Sequence, residues 1–292
     1  MVPALVAIKV LEMAGAVKGV ALVLDPLMNS MGLPGEAGLV WATCLVANIY
    51  AALLVFFTQI DHSSFSVMQT SILAGLMLIG HAFLVEGAIA RKVGLPWGLT
   101  FLYRFGGAIV FGVLVNFICT RFGLLQQTAN LDFVPQSSQT PSLSGWALEQ
   151  LYGLVLLYLI LFFLVALISV MKKTGLNDFL ERLLAPLLLR VGIGEHATYM
   201  TLIGMILGMA YGGGLLLIES KKETLTKKDI FLSISLISIC HGLIEDTLVV
   251  MLIGPSLIVV LIFRMIFGLL IVYGINKLSG RHFQSPSQQI LD

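Results

Sequence analysis

Charge is scarce in this sequence. Lys, Arg, Asp and Glu make up 11% of its 292 residues against 58% apolar residues, and the mean hydropathy is +0.98. No soluble domain of this length has enough interior to bury that much apolar surface, so the composition implies a polytopic membrane protein. The few charges nearly cancel, to a net +1, which argues against a nucleic-acid partner. Cysteine is scarcer still. Cys44, Cys119 and Cys240 stand far apart with no CxxC spacing, so they read as small apolar packers and not as a disulfide or zinc framework. There is no HExxH and no GxSxG, and the one run of glycines lacks the following Lys-Ser/Thr of a phosphate-cradling loop, so an enzyme is not expected. The first residues carry no basic stretch ahead of their apolar run, which Lys9 and Glu12 interrupt, so a cleaved signal is not expected either.

The charges that are present stand where they cost most. His81 to Arg104 and His241 to Arg264 are apolar stretches, and each carries His, then an acid five residues on (Glu86, Asp246), Gly at thirteen (Gly94, Gly254) and Arg at twenty-three. An ionisable group inside an apolar span points to function by default. The two copies lie 160 residues apart, and the offset holds without a gap for Pro26 and Pro186, Gly32 and Gly192, Ala37 and Ala197, Leu76 and Leu236, Ile79 and Ile239, and Asn116 and Asn276. The chain therefore reads as a duplicated unit, too long in period for a solenoid but familiar as a transporter plan. The expected organisation is a first repeat over 1–120, a polar linker over 121–146, a second repeat over 147–280 and a polar tail over 281–292. In the second repeat an extra leading span precedes a core of 161–280.

Apolar segments fall at 37–60 and 197–219, at 66–90 and 229–252, and at 96–120 and 255–277, the last pair opening on Pro96 and Pro255. Residues 176–192 are amphipathic and suit the interface or the flank of a bundle. Gly212, Gly213 and Gly214 are expected to break the 197–219 segment, the alternative being small residues at a close helix crossing. Charge placement favours such breaks. If 37–60 and 197–219 double back, then Arg91, Lys92, Lys172, Lys173, Lys221, Lys222, Lys227, Lys228, Lys277 and Arg281 share one face. That is the asymmetry of a cytoplasmic face, with the C-terminus on it. The same parity inverts one half relative to the other. The fold class expected is thus an all-α polytopic membrane protein with two inverted repeats and re-entrant or broken helices.

In each half the acid precedes the glycine turn by eight residues and the Arg follows it by ten. That places both roughly 12–15 Å deep, near the middle of a hydrocarbon core about 30 Å thick. Glu86 is expected to pair with Arg104, and Asp246 with Arg264, either as a solute site or as ion pairs that only lock helices together. His81 and His241 lie on the same helices as the acids. Glu245 follows His241 by four residues on nearly the same face, while Asp246 is rotated away. His and Glu so spaced could hold a proton or a metal, but two ligands are a weak metal signal and a hydrogen-bonded histidine is the simpler reading of each alone. No metal and no cofactor are assigned. Asn48, Tyr50 and Tyr211 fall mid-segment in the doubled-back elements, where they and the glycine run could face a solute. Asn116 and Asn276 suit interhelical hydrogen bonds.

The duplicated His, acid, glycine-turn and Arg pattern resembles the nucleoside recognition, or Gate, domain family. That domain recurs in ferrous-iron transporter membrane domains, concentrative nucleoside carriers and spore maturation membrane proteins. The resemblance spans about 1–120 and 161–280 and implies a multi-pass bacterial inner-membrane protein with inverted repeats and re-entrant hairpins. The chain is far shorter than a full nucleoside carrier and no soluble GTPase domain accompanies it, so neither of those activities carries over whole. The function expected is a transporter or channel for a small polar or charged solute, such as a nucleoside-like molecule, an organic anion or an ion. The alternative is a membrane scaffold or regulatory subunit, and the small size leaves room for a homodimer or a partner membrane subunit beside the lipid. Single cysteines replacing Lys92, Lys173, Lys222 and Lys277 should label from the cytoplasmic side, and one at Ser137 from the other. Labelling of positions 173 and 222 from opposite faces would contradict the doubled-back segment between them.

Overall fold

A computed structural model describes residues 16–60, 65–131, 176–220 and 225–279, together with part of 144–166. Lys9 and Glu12, linker residues 132–143, the basic pairs 172–173 and 221–222 and the tail lie outside the described residues. The described residues are helical, with one isolated bridge, Ser66 to Thr128, and no strand. The helices are α1 (Ala16–Ser30), α2 (Ala37–Val46), α3 (Ile49–Gln59), α4 (Val67–Gly80), α5 (Phe83–Val93) and α6 (Trp97–Phe122). They continue with α7 (Leu176–Arg190), α8 (Glu195–Leu207), α9 (Met209–Ser220), α10 (Lys227–Cys240), α11 (Glu245–Val250) and α12 (Ile258–Leu278). The 160-residue offset places α7 on α1, α9 on α3 and α10 on α4. The caps repeat with it: the Ser66 side chain accepts from Gln69 N at the start of α4, and the Thr226 side chain accepts from Asp229 N at the start of α10.

Among the described residues, three helical stretches are long and apolar enough to cross a membrane: Trp97–Phe122, Lys227–Ile253 and Ile258–Leu278. A fourth, Val67–Gly80 with Phe83–Val93, crosses if its 45° bend is allowed within one span. With that bend allowed, each half supplies two crossings joined at a glycine with positive φ, Gly94 (116°) or Gly254 (70°). Large apolar side chains such as Val110, Phe117, Ile258 and Leu270 stay exposed on these crossings, as lipid contact requires. In the 147–171 segment the described residues Leu148, Leu151, Tyr152, Val155, Phe162 and Phe163 are likewise exposed. The rest of that segment lies outside the described residues.

The segments 37–60 and 197–219 are each broken. Helices of 10 to 13 residues reach about 15–20 Å and cannot span about 30 Å of hydrocarbon alone. In the second half the break falls at Gly208 (φ 98°, ψ 170°) and not in the Gly212–Gly214 run, which lies inside α9. This corrects the expected position, and the reason is steric. Only Gly208 takes a backbone conformation closed to L side chains. Gly212 instead lets two backbones touch: a Cβ built on Gly204 would come within 3.0 Å of Gly212 Cα. Residues eight apart meet only if α9 folds back along α8, so the pair is a hairpin. Gly213 lies against Ile89 of α5, where a Cβ would stand 2.7 Å from that side chain. In the first half the break falls at Ala47–Asn48, where Asn48 Oδ1 accepts from Ala51 N at 2.9 Å and caps α3.

The halves pack against each other antiparallel. Near the start of α4, Thr70 Oγ1 donates to Gly254 O (3.1 Å) and Ser71 Oγ accepts from Ser256 N (2.8 Å), at the far end of the other span. The middles of the two spans meet where His81 touches His241, residues that match across the repeat. A residue touching its own counterpart lies on a two-fold relation. The flanking contacts obey it: α3 packs against α11, and α9 meets α5 through Gly213 and Ile89. Two antiparallel crossings related in this way put the axis in the membrane plane, so one half is inverted relative to the other. Arg91, Lys92, Lys227, Lys228 and Lys277 then share a face, opposite Arg121. Replacing Gly208 with Ala should destabilise the purified protein by about 1–3 kcal/mol. Gly214→Ala, inside a helix with open space for a Cβ, should leave stability unchanged or raise it by up to about 1 kcal/mol. Thermal unfolding of the two variants in the reverse order would refute the break at Gly208.

Candidate functional site

The site is built on two helix ends. α4 stops at His81 and α10 at His241, each taking extended backbone (ψ 154° and 172°), with left-handed Ala82 (φ 45°) and Gly242 (φ 58°) next. Both breaks are held in the same way. Ala82 N donates to Cys44 O and Leu243 N to Met205 O, each at 2.9 Å, so the tip of each hairpin anchors the bend in the span beside it. Each imidazole turns back on its own helix, with Nδ1 on the carbonyl four residues earlier: Met77 O at 3.1 Å for His81 and Ile237 O at 2.8 Å for His241. A carbonyl can only accept, so Nδ1 carries a proton in both rings, and when a ring is neutral its Nε2 presents a lone pair outward. The two Nε2 atoms face each other at 3.1 Å. Both residues are buried.

Carboxylates close around this pair. Glu86, in the first turn of α5, places Oε1 3.2 Å from His81 Nε2 and Oε2 3.1 Å from His241 Nε2. Asp246 Oδ2 lies 3.8 Å from His81 Nε2, so the acid of the second half addresses the histidine of the first. Arg104, fully buried, donates through Nη1 to Glu86 Oε2 and through Nη2 to His81 O, which realises the expected Glu86–Arg104 pair. The expected Asp246–Arg264 pair does not form. Arg264 donates through Nη2 to Thr247 Oγ1 at 3.3 Å, while its Nε and Nη1 have no hydrogen-bond partner among the described residues. The reason is rotation about the short α11: Asp246 turns toward the histidines, leaving Thr247 to meet the guanidinium. Both arginines sit at π-helical turns, Arg104 within Leu102–Gly106 and Arg264 directly after Ile258–Phe263. Such a turn re-aims a side chain within a helix and recurs at functional sites. Nothing in the sequence announces either turn, Thr247, or the carbonyls of Met77 and Ile237.

The remaining candidates stand apart. Glu245 is exposed at the start of α11, which packs against α3 of the other half. Asn48 is engaged in its cap. Tyr211 is 66% exposed and faces outward. Gly212 and Gly213 are packing positions, and Gly214 meets nothing within 4 Å. Asn116 and Asn276 serve as interhelical contacts. Each fills the space that a Cβ would need at Gly32 or Gly192, and Asn276 Nδ2 donates to Val191 O at 3.0 Å.

The chain is 27% identical over 257 residues to the uncharacterized membrane protein YvoD of Bacillus subtilis (strain 168), an alignment covering 86% of this chain and 80% of that protein. No family model matches the chain, and no solved structure matches it. A membrane protein is thus what both the relative and the apolar helices support, while the nucleoside-recognition resemblance rests on its motif residues alone.

The two acids should differ in what they hold. Glu86→Gln leaves the buried Arg104 without its carboxylate and should cost about 3–5 kcal/mol, much of it recovered in Glu86→Gln/Arg104→Gln. Asp246→Asn breaks no arginine pair and should cost clearly less. Equal destabilisation by the two single changes in thermal unfolding would contradict this assignment.

Proposed function

We propose that the protein is a membrane carrier or channel that takes a small polar or charged solute through the place where its two halves meet. The observation that carries this reading is the convergence of His81, Glu86, His241 and Asp246, with Arg104 and Arg264 behind them, at breaks in two antiparallel crossings. Paired-repeat carriers hold substrate near the midplane at interrupted helices, and irregular backbone at that depth is tolerated where it is buried or lines a path. A cluster serving only to lock helices needs one acid per arginine. Here Asp246 leaves Arg264 and turns to the histidines. The nucleoside-recognition resemblance adds nucleosides to the solutes worth testing. The shared basic face is read as cytoplasmic, in a bacterial inner membrane.

A second reading, a scaffold or regulatory subunit, is favoured by the closed Glu86–Arg104 pair, which has the form of a staple between α5 and α6. Proteoliposome uptake separates the two. The carrier reading expects accumulation of one class among nucleosides, organic anions and inorganic cations above protein-free vesicles, abolished in a folded Asp246→Asn variant. Uptake of no class by correctly folded protein, or full uptake by the variant, would leave the scaffold reading in place.

A further inference from the structure

We propose that His81, His241 and Asp246 bind one divalent first-row transition-metal ion, with Glu86 closing the site against both imidazoles. With both rings neutral, the cluster lacks a donor at its centre. With each Nδ1 proton committed to a backbone carbonyl, each neutral ring presents only a lone pair, and the two lone pairs stand 3.1 Å apart. Glu86 adds carboxylate oxygens 3.1 and 3.2 Å from these nitrogens, and Asp246 adds one 3.8 Å away. Four groups that are all acceptors while both rings are neutral repel one another unless a cation, a proton or a metal ion, sits among them.

The geometry favours a metal ion over a proton shared between the rings. Two imidazoles aimed head-on at this nitrogen separation would hold their centroids further apart than the observed 4.7 Å, so the lone pairs are bent off the line joining the nitrogens. A shared proton wants that line; an ion off the line does not. Two nitrogens bound tetrahedrally at about 2.0–2.1 Å from one ion stand about 3.3–3.4 Å apart, close to the spacing here. One ligand atom from each of His81, His241 and Asp246 falls within 4.8 Å of the others. The outer contacts also match those of a metal site. Ligating histidines usually donate their second N–H to a carbonyl or carboxylate, as both do here, and ligating carboxylates are themselves hydrogen-bonded, as Glu86 is by Arg104. Imidazole and carboxylate together suit zinc, cobalt, nickel, manganese or iron(II) and not the hard alkaline-earth ions, which prefer oxygen alone. The ligands come from both halves, so the ion would bind on the two-fold relation itself. Its passage through the membrane rests on the carrier reading; its binding does not, so the two fail separately.

The test uses full-length protein in detergent, purified without a polyhistidine tag and titrated with Co2+ and Zn2+. One Co2+ per chain is expected, with visible d–d absorption of a nitrogen–oxygen site, displacement by Zn2+, and affinity falling as pH drops through the histidine range, because the metal takes neutral imidazole. His241→Gln and Asp246→Asn should each weaken binding at least about tenfold, and a monodisperse variant that unfolds like the parent shows that the fold is kept. Asp246→Asn breaks no arginine pair and so serves where a histidine change unfolds the chain. Mg2+ should neither bind nor compete. Absence of Co2+ binding in the millimolar range, or unchanged stoichiometry and absorption in both variants, would overturn the proposal. A proton taken up by the histidines in protein that binds no metal would assign the cluster to proton binding instead.

Discussion

The cost of burying charge in an apolar span governs this structure. Arg104 and Arg264 are fully buried, and Glu86, which pairs with Arg104, gathers with His81, His241 and Asp246 into one cluster. No half can satisfy these groups alone. Glu86 is shared between Arg104 of its own half and His241 of the other, and Asp246 turns from its own arginine to the first half's histidine. Each half thus supplies polar partners to the other, and this sharing offsets part of the cost of holding those groups in an apolar span.

The backbone breaks follow from that requirement. A continuous helix would have placed His81 and His241 along a helix flank. Ending α4 and α10 there lets each Nδ1 rest on the carbonyl four residues back, turns each Nε2 toward the centre and starts the next helix with an acid in its first turn, where the helix dipole favours negative charge. The hairpins α2–α3 and α8–α9 supply the carbonyls of Cys44 and Met205 that hold these bends. A hairpin too short to cross the membrane therefore fixes the depth at which the crossing helix breaks.

Much of this is legible in the sequence, because duplication and charge placement are one-dimensional signals. The 160-residue offset, the glycine turns at Gly94 and Gly254, the doubled-back segments and the Glu86–Arg104 pair all follow from spacing and from the scarcity of charge. What spacing does not carry is rotation and the partner across the interface. Asp246 and Thr247 are neighbours, and which of them meets Arg264 depends on the turn of a six-residue helix against the other half. The contact of His81 with His241 depends on the two-fold packing, so each histidine read singly looks like an ordinary hydrogen-bonded core residue. The glycines mislead for a related reason. Three in a row look like a break, yet glycine serves close approach as often as turning, and only the backbone shows that Gly208 turns while Gly212 and Gly213 pack.

The antiparallel meeting of the halves is the claim on which the shared cluster depends, and disulfide cross-linking measures it directly. Ser71→Cys is combined with Ser256→Cys in a full-length chain lacking Cys44, Cys119 and Cys240 and carrying a protease site in the linker. After oxidation in native membranes and cleavage under denaturing conditions, the account predicts one covalently joined species, because Ser71 Oγ lies 2.8 Å from Ser256 N. Efficient joining of Ser71→Cys to Asp229→Cys at the start of the other span, with none to Ser256→Cys, would mean that the two crossings run parallel, and the cluster described here could not form.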